Sequence, residues 1–398
     1  EIAGLTILPV IFEPAYNKFV PEITAGLDAA LQPLFSIDDY EADMFVEDLQ
    51  SLVNILRQVV EFGALDIYRG GEIDWANTEP IENIIETLFE LNFLNAKLDE
   101  IVNYVTDSMF DLSELNVEAV RAGLASDGQL LADTYKLLAE NILAQEWFPV
   151  KTMDDFSNLG IDSLPFENLL TYEVLETVGK VVQNIVSMNL VYEALPIVFD
   201  YAKGMVPENL TFLVDVELGS EELQNDLFAL IDIAELVVDI INPMLPELAA
   251  NISGIIDGSV DPLSLELEFN LDNLFADIKE IAQIVDNMNL IDGRGKDLLI
   301  GALALADITI TEEDLANVSF ADEKDLAELA VLKVIELLQA NDLNSLKSIL
   351  DLTENLSLDN EDLINTENLL IVLELVDIIL QSQVVRGLLE PVYDQMLK

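Results

Sequence analysis

Apolar residues recur along this chain at i, i+3, i+4 and i+7, and that spacing limits the fold more than any other feature. Leu49, Leu52, Val53, Leu56, Val59 and Val60 follow it, as do Ile81, Ile84, Ile85, Leu88 and Leu91. Leu223, Leu227, Leu230, Ile231, Ala234, Val237 and Val238 repeat it. So do Leu271, Leu274, Phe275, Ile278, Ile281 and Val285, then Leu326, Leu329, Leu332, Val334 and Leu337, then Leu369, Leu370, Leu373, Val376 and Ile379. Each set paints one face of a few helical turns, with acids on the open face. Thr78 before Glu79-Pro80 is a helix-start signal, because proline is tolerated in the first turn. Ser220-Glu221-Glu222 and Thr366-Glu367 supply a capping hydroxyl and first-turn acids.

Short alternating runs sit between these helices. Leu263, Leu265, Leu267 and Phe269 alternate with polar residues, as do Val214, Val216 and Leu218. Ile308 and Ile310 form a shorter pair, and Ile73 and Trp75 bracket Asp74. Period-two alternation predicts extended segments. Long-helix starts are expected near Phe45, Ile81, Gln129, Glu167, Glu222, Leu271, Glu323 and Glu367. Their mean step is roughly 46 residues, close to the 40–47 of two-helix solenoid repeats. The expected fold is therefore mainly α: an irregular α-helical repeat, or solenoid, with short extended (β) segments between helices. The stretch 148–165, with Pro149, Gly160 and Pro165, divides N-terminal helical repeats (1–150) from C-terminal ones (151–398). One continuous solenoid is the other possibility.

Charge then narrows the function. The 398 residues hold 76 Asp plus Glu against 17 Lys plus Arg, a net charge of −59, with no His and no Cys. So few cations disfavour binding to nucleic-acid phosphates or to an anionic membrane surface. Zinc sites built on Cys or His, disulfides and His-dependent nucleophilic catalysis are excluded. Hydrophobic residues make up 51% of the chain, which excludes an acidic disordered protein. Membrane insertion is not expected, since the most apolar stretch, 369–380, contains Glu374 and Asp377. The composition resembles that of large surface proteins of low-GC bacteria, a likeness that transfers no residues.

The two ends echo one another. Phe12, Pro14 and Tyr16 near the start match Leu389, Pro391 and Tyr393 near the end within ten-residue stretches of similar pattern. Both stretches are apolar, whereas a solenoid that stops needs polar caps. The expectation is that the chain belongs to a longer polypeptide, or that its ends meet in neighbouring subunits through those six residues.

Among possible sites, Asp38, Asp39, Glu41 and Asp43 form the first acidic cluster to consider for Ca2+, a hard cation that takes oxygen ligands. No acidic cluster matches the twelve-residue calcium loop. Gly293-Arg294-Gly295-Lys296-Asp297 lacks the Ser or Thr of a phosphate loop and is expected to be a turn between helices. No catalytic residue stands out. The leading expectation is a structural or adhesive protein, not an enzyme, in an extracellular or cell-surface filament or layer. A second is an acidic binding module for a basic protein partner, acting as a charge mimic. A third is a carboxylate-dependent hydrolase, which needs two acids in a pocket and one raised pKa.

Overall fold

The computed structural model describes residues 40–108, 111–160, 164–265, 267–268, 273–305, 318–341 and 366–386, with isolated positions 10, 14, 16, 18, 315 and 343. The chain is mainly helical, as its periodicity requires. Among the described residues from Tyr40 onward the helices are, in order, α1 (Ala42–Glu61), α2 (Ala64–Tyr68), α3 (Glu79–Phe89), α4 (Asn92–Ala96), α5 (Leu98–Ser108) and α6 (Val117–Leu138). A π-helical turn, Ala139–Leu143, prolongs α6. Then come α7 (Met153–Asn158), α8 (Phe166–Leu169), α9 (Tyr172–Val186), α10 (Asn189–Lys203), α11 (Ser220–Ile241) and α12 (Leu245–Ile256). The last four are α13 (Leu274–Asp286), α14 (Gly295–Leu305), α15 (Phe320–Ala340) and α16 (Thr366–Gln381).

Two compact units divide the chain. The first comprises Glu1–Pro165, Thr177–Ala202 and Gly219–Gln224; the second comprises Phe166–Glu176, Lys203–Leu218 and Asn225–Lys398. In the first, α3 lies between α1 and α6 and packs on both. Leu98, Val102, Leu115, Val120 and Leu124 form its core, with Phe89, Ala194 and Ile197 against them. Trp75 donates its indole N–H to the Val150 carbonyl at 2.9 Å and meets Phe148 and Phe156 edge-on. That contact fastens the 148–158 segment to the turn before α3. In the second unit, α15 lies between α13 and α16, and α14 packs on the 3-10 helix Glu208–Leu213.

No strand is present among the described residues. Ile73 N–H finds the Lys151 carbonyl at 2.7 Å, a single bond where a strand pair would show a ladder. Leu265 and Leu267 are both buried, so the alternation there marks which side chains point inward, and Glu268 makes an isolated bridge. Val214–Leu218 is a connector into α11, and Ile308 and Ile310 lie outside the described residues.

Seven of the eight expected helix starts fall within three residues of an observed one. Glu167 falls in the one-turn helix α8, ahead of α9. Gln129 lies inside α6, which begins twelve residues earlier at Val117. The buried face of α6 combines Val120 and Leu124 with Gly123, Asp127, Gly128, Ala132 and Thr134, so its aliphatic stripe breaks off after Leu124. A Cβ at Gly123 would lie 2.3 Å from the Asn189 side chain, and one at Gly128 would lie 2.6 Å from Phe89. Close packing at Gly123 and Gly128 adds to the burial of Val120 and Leu124 in that stretch.

Candidate interaction surfaces

The most distinctive polar arrangement is a carboxylate on a long helix that grips the start of another segment. It occurs four times. Asp48 of α1 accepts Asn92 N–H (2.8 Å) and Asn92 Nδ2 (3.1 Å) on Oδ1, and Phe93 N–H (2.7 Å) on Oδ2. Asp127 of α6 takes Asn189 N–H (2.6 Å) and Nδ2 (2.9 Å) on Oδ1, and Leu190 N–H (2.9 Å) on Oδ2. Asp226 of α11 takes Asn289 N–H (2.7 Å) and Nδ2 (3.0 Å), then Leu290 N–H (2.7 Å). Glu323 of α15 takes Gln383 N–H (2.6 Å) and the Ser382 hydroxyl (2.5 Å). Each gripped residue comes after a shorter helix, α3, α9, α13 or α16; α2 stands between it and the gripping helix in the first case, α7 and α8 in the second, and α12 in the third.

At Asn92 and Asn189, which begin α4 and α10, the physics is that of an N-cap supplied from a distance, whereas Asn289 and Leu290 open a turn. The first N–H groups of a helix have no partner within it, and an anion there also meets the positive end of the helix dipole. Asp127 is fully buried, and Asp48 and Asp226 nearly so, yet their oxygens are occupied by N–H donors. Tyr40 also donates to Asp48 Oδ2 at 2.9 Å, and burial together with that carboxylate pushes the Tyr40 phenol above its ordinary range. The sequence carries a signal for three of the four that its periodicity does not expose. The tripeptides Leu91-Asn92-Phe93, Met188-Asn189-Leu190 and Met288-Asn289-Leu290 each follow a helix. An acid stands on the preceding long helix, 44, 62 and 63 residues earlier.

Cations are scarce, and many lie between neighbouring helices. Lys136 of α6 reaches Glu82 of α3 (3.5 Å), Lys279 of α13 reaches Glu328 of α15 (2.7 Å), and Lys333 of α15 reaches Glu374 of α16 (2.7 Å). Arg121 pairs with Glu118 and with Asp99 of α5, and Lys324 pairs with Asp286. A cleft of about 1270 Å³ in the second unit includes Lys279, Lys296 and Lys324 in its wall. Asp286, Asp292, Asp297, Glu323, Asp325 and Glu328 line it too, so acids outnumber cations even there. Gly293-Arg294-Gly295 is a turn leading into α14. Arg294 donates to the carbonyls of Leu290 (2.7 Å), Leu213 (3.2 Å) and Phe212, which makes it a tie to the 3-10 helix.

The expected calcium cluster is described only in part. Glu41 and Asp43 are exposed at the N-terminus of α1, where acids complement the helix dipole, and Asp38 and Asp39 lie outside the described residues. Among the described residues no group of three or more acids is placed to hold a metal ion. Of the six expected interface residues, Pro14 is exposed and Tyr16 half-buried, both in helical conformation. Phe12, Leu389, Pro391 and Tyr393 lie outside the described residues. Burial and the neighbouring Asp239 raise the Asp277 carboxyl. That acid pair does not line the cleft above. No single helix among the described residues is long and apolar enough to cross a membrane; α9 and α10 reach that composition only when joined across an 88° bend.

Exposed apolar seams occur on several helices: on α9, Val178, Val182 and Ile185 are 43%, 40% and 39% exposed. On α1, Val53, Leu56 and Val60 are 47%, 64% and 59% exposed, and half-buried Leu49 extends their line. On α16, Leu369, Leu373, Val376 and Leu380 are 50%, 55%, 45% and 48% exposed. The seams of α1 and α16 run at +4, +3, +4 spacing, that of a heptad stripe.

No known protein family, no curated protein and no solved structure matches this chain.

Proposed function

We propose that this chain is a structural or adhesive protein, a segment or subunit of an extracellular or cell-surface filament or layer built from stacked acidic helical repeats. The observation that carries the reading is the fourfold carboxylate grip. A long helix, a shorter helix and a gripped segment recur in the same order, as expected of a solenoid whose unit is a helix pair plus its connector. In that reading the 46-residue step is the distance between successive helices of a unit, and the full unit is about twice as long. Apolar faces hold neighbouring units together. The acidic exterior gives solubility and resists lateral collapse. No catalytic step belongs to this function.

Negative-stain microscopy of the purified chain across a protein and salt series, with and without calcium, tests it. Elongated assemblies that grow with concentration are the expected result. A chain that stays monomeric under every condition overturns the reading.

A second reading, the acidic binding module for a basic protein, is favoured by the position of the cations. At least seven of the 17 are held in ion pairs, many of them between helices, while the net charge is −59. Its signature is tight binding to polylysine that weakens steeply with salt.

A further inference from the structure

The four grips share more than their chemistry. The gripped residues Asn92, Asn189, Asn289 and Ser382 are 97, 100 and 93 residues apart. In the first three, the asparagine gives its side-chain amide and the next residue its backbone N–H. In the fourth, the Ser382 hydroxyl and the Gln383 N–H fill the same two places. Each grip also closes a loop of chain behind it: 48–92, 127–189, 226–289 and 323–382. These loops follow one another without overlap, so every grip ends before the next begins.

Packing keeps the same order. Helix α3 of the first loop packs on the gripping helix α6 of the second, α8 of the second on α12 of the third, and α13 of the third on the gripping helix α15 of the fourth. None of the main helix contacts among the described residues joins loops that are not consecutive. Such nearest-neighbour wiring lets one unit open at the cost of its own contacts and those to its neighbours. The chain enters each loop at the carboxylate and leaves it at the gripped residue. A pull between the ends of the chain is therefore carried across each loop by the grip and the helix packing beside it. We infer that the grips are latches of an extensible array: each holds its own loop shut, and under tension the loops open singly. Three latches are buried carboxylates shielded from competing water. The fourth, half-buried Glu323, holds its segment by two bonds in place of three and opens first. The use of such latches, in a load-bearing assembly, rests on the structural reading; the latch itself is a property of the single chain.

Optical tweezers on the single full chain, held by handles at its two ends, test this. At about 3.4 Å of extended chain per residue, the first loop releases about 150 Å of contour length and each of the others about 200–215 Å. Separate steps of these lengths are expected, with the Glu323 loop leading. Asp127→Asn keeps the shape of the side chain but turns an amide N–H2 toward one of its donors. It should open its own loop at least about 10-fold more readily at the same load and leave the Asp226 loop unmoved. Asp226→Asn should do the reverse. Asn189→Ala removes one bond without touching the carboxylate, so it carries the test if Asp127→Asn fails to fold. Unchanged circular dichroism checks the fold of all three.

Release of the whole chain in one event overturns the array. Loop-length steps that every variant leaves unmoved overturn the latches, because helix packing alone then bears the load. A variant that shifts all the steps alike shows one cooperative network, which also overturns the inference. None of these outcomes depends on assembly: a chain that never forms filaments removes the structural reading, and the latches are still judged on their steps.

Discussion

Asp127 accepts three N–H donors with no exposure to solvent, so its replacement takes the acceptor from the Asn189 and Leu190 backbone N–H groups, while the Asn189 side-chain amide keeps only Ser126 Oγ. Asp127→Ala is expected to cost about 3–5 kcal/mol of local stability. Hydrogen exchange at the Asn189 and Leu190 amides should report it directly, and unchanged protection there would show that water takes over the role. Asp155 gives a pH-dependent counterpart. The Lys151 N–H, then the Thr152 hydroxyl and N–H, hold its carboxyl below the usual range. A lowered folded pKa stabilises above the unfolded value, about 4, and that contribution disappears as pH falls through the folded value. The Lys151 and Thr152 amide shifts should therefore move only below about pH 4 in the wild type, and stay flat in Asp155→Asn. These residues differ in how far the sequence reveals them. Asp155 follows Thr152 by three, a local capping pattern readable without coordinates. Asp127 and Asn189 are separated by 62 residues, and an acid in a chain with 76 of them carries no mark of burial.

At the scale of the helices, periodicity is legible where the buried face is aliphatic and fails where it is made of small or polar residues. Helices α1, α3, α11, α15 and α16 begin near their expected starts because Leu, Ile and Val mark their inward stripe. Helix α6 was concealed by Gly123, Asp127 and Gly128, whose role is set by a partner that local sequence cannot show. Gly123→Ala tests that account. A methyl group there collides with Asn189, so about 1–3 kcal/mol should be lost, with the Asp127 grip loosened, although alanine is the better helix former. A Gly123→Ala chain as stable as the wild type would mean that Asn189 has room to move. The alternating runs carried a different ambiguity. Leu265 and Leu267 do point inward, but alternation over so few residues fixes side-chain direction and gives an isolated bridge at Glu268 in place of a strand.

For the molecule as a whole, electrostatics opposes compactness nearly everywhere except at the inter-helix ion pairs. Screening weakens those pairs, but it also relieves repulsion among a large excess of like charges, and the second effect should dominate. The melting temperature by circular dichroism is expected to rise between 10 mM and 500 mM NaCl; a fall would mean that the ion pairs carry more of the stability than the net charge removes. The distribution of acids is plain from composition, whereas the placing of Lys136, Lys279 and Lys333 between helices depends on which helices become neighbours. A last consequence comes from Trp75, whose indole holds the Val150 carbonyl. It and Trp147 are the chain's two tryptophans, and both belong to the first compact unit. Indole emission is thus a private optical channel for one half of the polypeptide, blind to the other. Should the halves melt apart, the fluorescence curve and the ellipticity curve would part company, and the gap between them would measure their independence without any label.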